Sequence, residues 1–173
     1  MNWPIELPLC RLRPLRPQDE DSLQRHADDP AVSAWLRDSF PSPYLMDDAR
    51  MFIALQDIFT PPRVLGIEVA GEIVGCIGIE LQGDVYRESA EIGYWLGRSH
   101  WRRGLLTQVL PPFCAYSFAN FSIHRLYAGV FSGNLASPRL LAGAGFEVQG
   151  CQRQAIIKNG KYLDVHHYGL LRP

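Results

Sequence analysis

The chain has 173 residues, 47% of them hydrophobic and 20% charged, with a formal net charge of −1. That length suits one domain with a sizeable core, so a single domain over residues 1–173 is expected. A near-neutral charge gives nucleic acid no bulk attraction, and the sequence has no uninterrupted apolar stretch of the ~18 residues that mark a membrane span.

Residues 9–15 alternate apolar and polar side chains as a first strand does, with Pro14 at its edge or its end. Pro17 then suits the first turn of a helix running to about Ala27, with Asp19, Glu20 and Asp21 at its positive end. Residues 28–46 hold Pro30, Pro41 and Pro43 among Trp35, Phe40 and Tyr44, and read as a short helix and a long loop. Such an aromatic loop is either a binding wall or part of the core. Asp47-Asp48 is expected to cap a helix over about 48–58, with Met51, Phe52, Leu55 and Ile58 (or Phe59) on its apolar face.

A hairpin follows, with arms 63–70 and 72–81 turning at Gly71, and then a fourth strand over 88–96. The next helix covers about 104–119 and contains Pro111-Pro112. Interior prolines remove helix hydrogen bonds at about 3 kcal/mol each, so a kink or a restart is expected there. Residues 124–131 form a strand, Asn134 caps a helix to about Ala144, and Asn159-Gly160 turns a last hairpin with arms 146–158 and 161–171. The predicted order is β-α-α-β-β-β-α-β-α-β-β.

The most informative stretch is residues 91–107. Glu91 to Leu96 alternates as a strand, Gly97 breaks it, and Arg102-Arg103-Gly104 opens the helix. Free N–H groups in a first helical turn, together with the positive end of the helix dipole, can hold a phosphate. Gly104 lets the backbone approach that anion closely. The alternative is an ordinary strand–turn–helix with solvated arginines. Lys158 and Lys161 are the only lysines, and the loop lacks G-x-x-x-x-G-K-[ST], which excludes an NTPase of that type.

Cys10, Cys76, Cys114 and Cys151 are too scattered for a disulfide framework or a zinc site. His166 and His167 are adjacent on a strand and point to opposite faces, which argues against shared metal ligation. No signal peptide is visible, so a cytoplasmic protein without metal, membrane or nucleic-acid partners is expected.

Five motifs in this order resemble the GNAT superfamily of acetyl-CoA-dependent N-acetyltransferases, and most closely its RimJ/RimL branch. They are Arg11-Leu12-Arg13-Pro14-Leu15-Arg16-Pro17 with Asp19, then Ala90-Glu91-Ile92-Gly93-Tyr94-Trp95-Leu96, then Trp101-Arg102-Arg103-Gly104-Leu105-Leu106-Thr107. Asn134-Leu135-Ala136-Ser137 with Gly145-Phe146 follows, and Asn159-Gly160-Lys161-Tyr162-Leu163-Asp164 closes the set. The resemblance implies an α/β (α+β) fold: a mixed, mostly antiparallel sheet of about six to seven strands, with helices on both faces and splayed fourth and fifth strands.

The resemblance also implies acetyl-CoA as co-substrate and a primary amine as acceptor, most closely a peptide N-terminal α-amine. Backbone amides near Leu96 would hold the thioester, and those from Arg102, Arg103, Gly104, Leu105, Leu106 and Thr107 would take the pyrophosphate. Glu91 would accept the amine proton or, alternatively, simply face solvent or an arginine. Asn134 would cap its helix and touch the donor. Ser137 would protonate the departing thiolate or, alternatively, be a plain first-turn serine. The sequence departs from the family at Leu106, where a small residue is usual, at Gly143, where a basic one is usual, and at Leu141, where many members carry a tyrosine acid. A small-molecule amine acetyltransferase and a catalytically silent acyl-CoA-binding protein are the alternatives, and a homodimer stays open.

Overall fold

The structure is a computed structural model that describes residues 3–173. The chain folds into two compact units, Met1–Gly78 with Tyr94–Val109, and Ile79–Gly93 with Leu110–Pro173.

The first unit holds β1 (Ile5–Glu6), β2 (Arg11–Arg13), α1 (Glu20–Ala27), α2 (Pro30–Ser33), α3 (Met46–Asp57) and β3 (Val64–Val69). It also takes most of β4 (Glu72–Leu81), the end of β5 (Ser89–Leu96) and the start of α4 (Leu105–Asn120). β2, β3 and β4 pair antiparallel, and the β3–β4 turn is made by Ala70 (φ +51°) and Gly71 (φ +89°). Two central residues with positive φ match the right-handed twist of the arms. The core of this unit is Leu15, Leu23, Ala27, Tyr44, Ala49, Ile53, Ile73 and Cys76, with Phe40 and Trp95 packed against it. Tyr44 from the aromatic loop is therefore a core residue, while Trp35 is 40% exposed.

Beside this core lies a buried charge cluster. Arg13 donates to both carboxylate oxygens of Asp19 (2.7 and 2.8 Å) and to Glu68, tying β2 to the turn before α1 and to β3. Asp19 also accepts the Arg16 amide at 2.7 Å. These bonds raise the guanidinium's affinity for its proton further, against the opposing effect of burial.

α3 corrects two expectations. Its cap is at Leu45, and Asp48 lies inside the first turn, accepting the Leu45 amide at 2.7 Å. The buried residues are Ala49 and Ile53; of the expected stripe only Phe52 packs against the core, since Met51, Leu55 and Ile58 are 65%, 54% and 69% exposed. Residues four apart share a helix face, and the small Ala49 permits close packing on α1.

The second unit contains the rest of β5 and α4, then β6 (Arg125–Phe131), α5 (Ala136–Gly143), β7 (Glu147–Lys158) and β8 (Lys161–Leu171). Leu110, Phe113, Leu126 and Leu141 are among its fully buried side chains. β6–β8 and β8–β7 are antiparallel, and Asn159 (φ +50°) and Gly160 (φ +74°) make the hairpin turn. β5 and β6 are parallel, joined by α4, and pair only over Ser89–Glu91 with Arg125–Tyr127. Both strands continue past the last pair, which is the splay expected of the fourth and fifth predicted strands.

β7 carries two bulges. Between the pairs Gln152↔Val165 and Ile156↔Leu163, three residues of β7 face Asp164 alone. The carboxylate of Asp164 accepts the amide of Gln154 at 2.8 Å, and Gln154 sits at φ +49°.

Among the described residues the strand order is β1-β2-β3-β4-β5-β6-β8-β7. The eighth strand, beyond the six to seven expected, is β1, whose two residues are too few to show an alternation. α4 runs through Pro111 and Pro112 as one helix, so of the kink or restart expected there the restart does not occur. The carbonyls deprived of a donor belong to Thr107, which is exposed, and Gln108, which is half-buried, so water can take up those bonds. No helix among the described residues is long and apolar enough to cross a membrane.

Candidate functional site

In the first unit the end of β5 is gripped from several sides. The Gly97 amide donates to the Val74 carbonyl at 2.8 Å, and the Trp101 indole N–H donates to the Leu96 carbonyl at 2.7 Å. A side chain at Gly75 would run into the Trp95 carbonyl and Leu96, so glycine is what lets β4 lie against this backbone.

A single 3-10 turn (Arg98–His100) leads to Arg102 at φ +59°, Gly104 at φ +75° and the start of α4 at Leu105. A non-glycine residue in the left-handed region costs on the order of 1–3 kcal/mol and is a pointer to function. The first amides of α4 have no acceptor within the helix and carry the positive end of its dipole. Left-handed residues in such a turn bring successive N–H groups into a concave anion seat. Arg98, Arg102 and Arg103 are exposed and form no ion pair among the described residues. Leu105 is buried, Leu106 half-buried and Thr107 exposed. The turn thus has the backbone and the charge to hold a phosphate group.

Two histidines that sequence reasoning passed over stand behind this turn. His26, at the end of α1, and His100 meet edge to face, with ring centroids 5.1 Å apart and planes at 78°. His26 Nε2 and His100 Nδ1 are buried without a hydrogen-bond partner, and Nε2 lies 3.8 Å from a Glu72 carboxylate oxygen, too far for a hydrogen bond. Burial, then Arg25, lowers the His26 pKa against the pull of Glu72; burial, then His26 and Arg103, lowers that of His100. Both imidazoles are therefore neutral at neutral pH. The one sequence signal was Gly97 at a strand end, a residue that marks close backbone approach. Arg25, His26, Asp28, Asp29, Arg98 and Ser99 line an open cleft of about 510 Å³.

The second unit carries the remaining candidates. Ala90 and Ile92 are buried on one face of β5, so Glu91 is on the other, half-buried, at the last β5–β6 pair opposite Tyr127. The Asn134 side-chain oxygen accepts the amides of Ala136 and Ser137, both at 3.2 Å, and so caps α5 as predicted. Ser137 is half-buried in the first turn, whereas Leu141 is fully buried in the core. Leu96 and residues 102–107 thus belong to one unit, and Glu91, Asn134 and Ser137 to the other. Among the described residues no group of three or more His, Cys, Asp or Glu side chains could hold a metal ion.

The family model of the acetyltransferase (GNAT) domain matches residues 10–147. YoaA of Bacillus subtilis (strain 168), an uncharacterized N-acetyltransferase, is 36% identical over 102 residues, which are 59% of this chain and 57% of YoaA. The ribosomal-protein-serine acetyltransferase of Escherichia coli (strain K12) is 30% identical over 97 residues, 56% of this chain and 54% of its own. The chain therefore spans little more than half the length of these two curated relatives. The solved structure of RimL, a ribosomal L7/L12 alpha-N-protein acetyltransferase in complex with coenzyme A, superposes with a TM-score of 0.85 over 98% of both chains at 21% identity, a likeness of fold.

Proposed function

The chain belongs to the GNAT acetyltransferase family, whose acyl donor is acetyl-CoA, and from that premise we propose that it acetylates the free α-amine of a peptide or protein N-terminus. The observation that carries the donor half of this reading is the Arg102–Thr107 turn, with its left-handed backbone and unpaired guanidinium groups. The amides of Arg102, Arg103, Gly104, Leu105, Leu106 and Thr107 take the pyrophosphate. The backbone at Leu96, whose carbonyl is fixed by Trp101, holds the thioester. Preorganised amides need no reorganisation as charge develops on the carbonyl oxygen.

Asn134 and Ser137 contact the donor from the start of α5. Glu91 accepts the amine proton through water, and Ser137 returns a proton to the departing thiolate. The acceptor class follows from acidity. At pH 7 an α-amine of pKa about 7.8 is roughly 14% neutral, whereas lysine near 10.4 is about 0.04% neutral. A carboxylate working through water suits the first, because lysine needs about 3.5 kcal/mol more from desolvation or a stronger base.

The test pairs two peptides of one sequence, one with a free N-terminus and a blocked lysine, the other reversed, followed by thiol release from acetyl-CoA. The first is expected to have the higher kcat/KM, rising from pH 6 to 8. A preference for the second would overturn the α-amine assignment. Glu91→Gln is expected to lower kcat by about 10²- to 10⁴-fold with acetyl-CoA affinity nearly intact, and wild-type turnover would remove Glu91 from the mechanism.

A further inference from the structure

From the contact between α1 and the end of β5, we infer that His26 is a positioning residue for acetyl transfer: its imidazole, backed by His100, fixes the Leu96–Gly97 peptide against which the thioester is held. The inference rests on the acetyl-CoA reading above and adds a residue to it.

The geometry is specific to this place. A Cβ built on Gly97 would stand 2.6 Å from His26 Nδ1 and 2.9 Å from its Cβ and Cγ, so the imidazole occupies the space that any side chain at residue 97 would need. Gly97 has φ −54°, which every residue adopts, so its lack of a side chain serves this contact and not a backbone conformation. With the Gly97 amide on Val74 and the Leu96 carbonyl on Trp101, His26 closes the remaining side of the peptide. His100 stands edge-on behind it and begins the turn that reaches the anion seat. One pair of rings thus contacts both the strand end and the turn.

Simple space-filling does not account for imidazoles at both positions. An apolar side chain would fill the volume without leaving His26 Nε2 and His100 Nδ1 buried and unpartnered. A flat, stiff ring with two torsions can stand against a peptide backbone where a branched aliphatic cannot. Burial outweighs the pull of Glu72, whose carboxylate lies 3.8 Å from His26 Nε2, while Arg25 and Arg103 also disfavour charge on the pair, and Asp28, Asp29 and Arg98 line the adjoining cleft. Sub-ångström placement of a reacting group governs rate, and a misplacement there can cost about 10²-fold.

The experiment uses the full chain with His26→Ala, Gly97→Ala and the double variant, measuring acetyl-CoA affinity by calorimetry and kcat by thiol release. His26→Ala is expected to lower kcat by about 10²-fold while the acetyl-CoA Kd shifts by less than about threefold. Gly97→Ala is expected to do the same, since its methyl displaces the imidazole. In the double variant the methyl enters the vacated space and restores at least about tenfold of the lost rate. Wild-type kcat in His26→Ala would overturn the inference, as would a fall in affinity equal to the fall in rate, or a double variant with strictly multiplicative losses. If His26→Ala does not fold, His26→Gln replaces it with the same expected split. Absence of acetyl-CoA binding by the wild-type chain would remove the acetyl-CoA reading itself, whereas wild-type binding with an indifferent His26→Ala removes this inference alone.

Discussion

Arg13 and the arginines of the 98–103 turn are the same side chain in opposite circumstances. Arg13 is 5% exposed and its donors go to two carboxylates and a carbonyl. Arg98, Arg102 and Arg103 are exposed, without an ion pair among the described residues, beside left-handed backbone. A buried charge must be paired from within, because desolvation without a partner is far costlier than any gain from packing. A charge that meets a ligand is left unpaired, and the ligand completes it. The difference separates residues that hold the fold from residues that the proposed function assigns to the donor's phosphates.

The largest expected effect tests the buried side. Arg13→Met leaves Asp19 buried without its cation and Glu68 with only the half-exposed Arg11 at 3.4 Å, and should destabilise the chain by about 3–5 kcal/mol in urea unfolding. A loss below about 1 kcal/mol would mean that the cluster is solvated and the contrast false. Next comes the open side. Arg102→Ala should leave unfolding within about 0.5 kcal/mol of wild type. The same change should weaken acetyl-CoA by about 1.5–3 kcal/mol, roughly 10- to 100-fold, with the deficit shrinking as salt is raised. Unchanged affinity would return Arg102 to the class of solvated arginines.

Gly104→Ala sharpens the contrast from the backbone. Its methyl meets nothing within 4 Å, but φ is +75°, so a stability loss of about 1 kcal/mol is expected together with weaker acetyl-CoA binding. The smallest effect is in pH. The His26 and His100 pKa values are lowered in the folded chain, so the unfolded chain binds more protons as pH falls below the ordinary histidine value of about 6.5. Their contribution is complete above that pH and is lost as pH falls toward the depressed folded values. His26→Gln should therefore flatten the stability slope between pH 7 and 5 relative to wild type, and identical slopes would refute the burial of a neutral imidazole.

What the sequence revealed and what it hid divide along physical lines. Local rules carried the hairpins: Gly71 and Asn159-Gly160 turn where expected, because turn chemistry is decided within four residues. The Asn134 cap and the glycine turn before α4 were legible for the same reason. Faces were harder. The apolar stripe Met51, Leu55, Ile58 obeys helical spacing as well as Ala49 and Ile53 do, and only the position of α1 decides which is buried. His26 was invisible as a functional residue, because its meaning depends on Gly97, remote in sequence and brought to it by the strand end. Leu141 illustrates the converse: a departure from the family pattern turned out to be a wholly buried packing residue.

The bulges of β7 bear on how the protein behaves in a crowded solution. β7 is the last strand in the ladder order, twelve residues long and exposed along nearly its whole length, with Val148 and Ile157 uncovered. An edge of that length, if straight, would be a template for strands of other molecules and a seed for precipitation. Gln154, turned left-handed and tied to Asp164, breaks the row of outward amides before it is long enough to recruit a neighbour. Colloidal stability in this chain is thus written into two surplus residues of one strand, and deleting them would regularise the ladder at the expense of solubility.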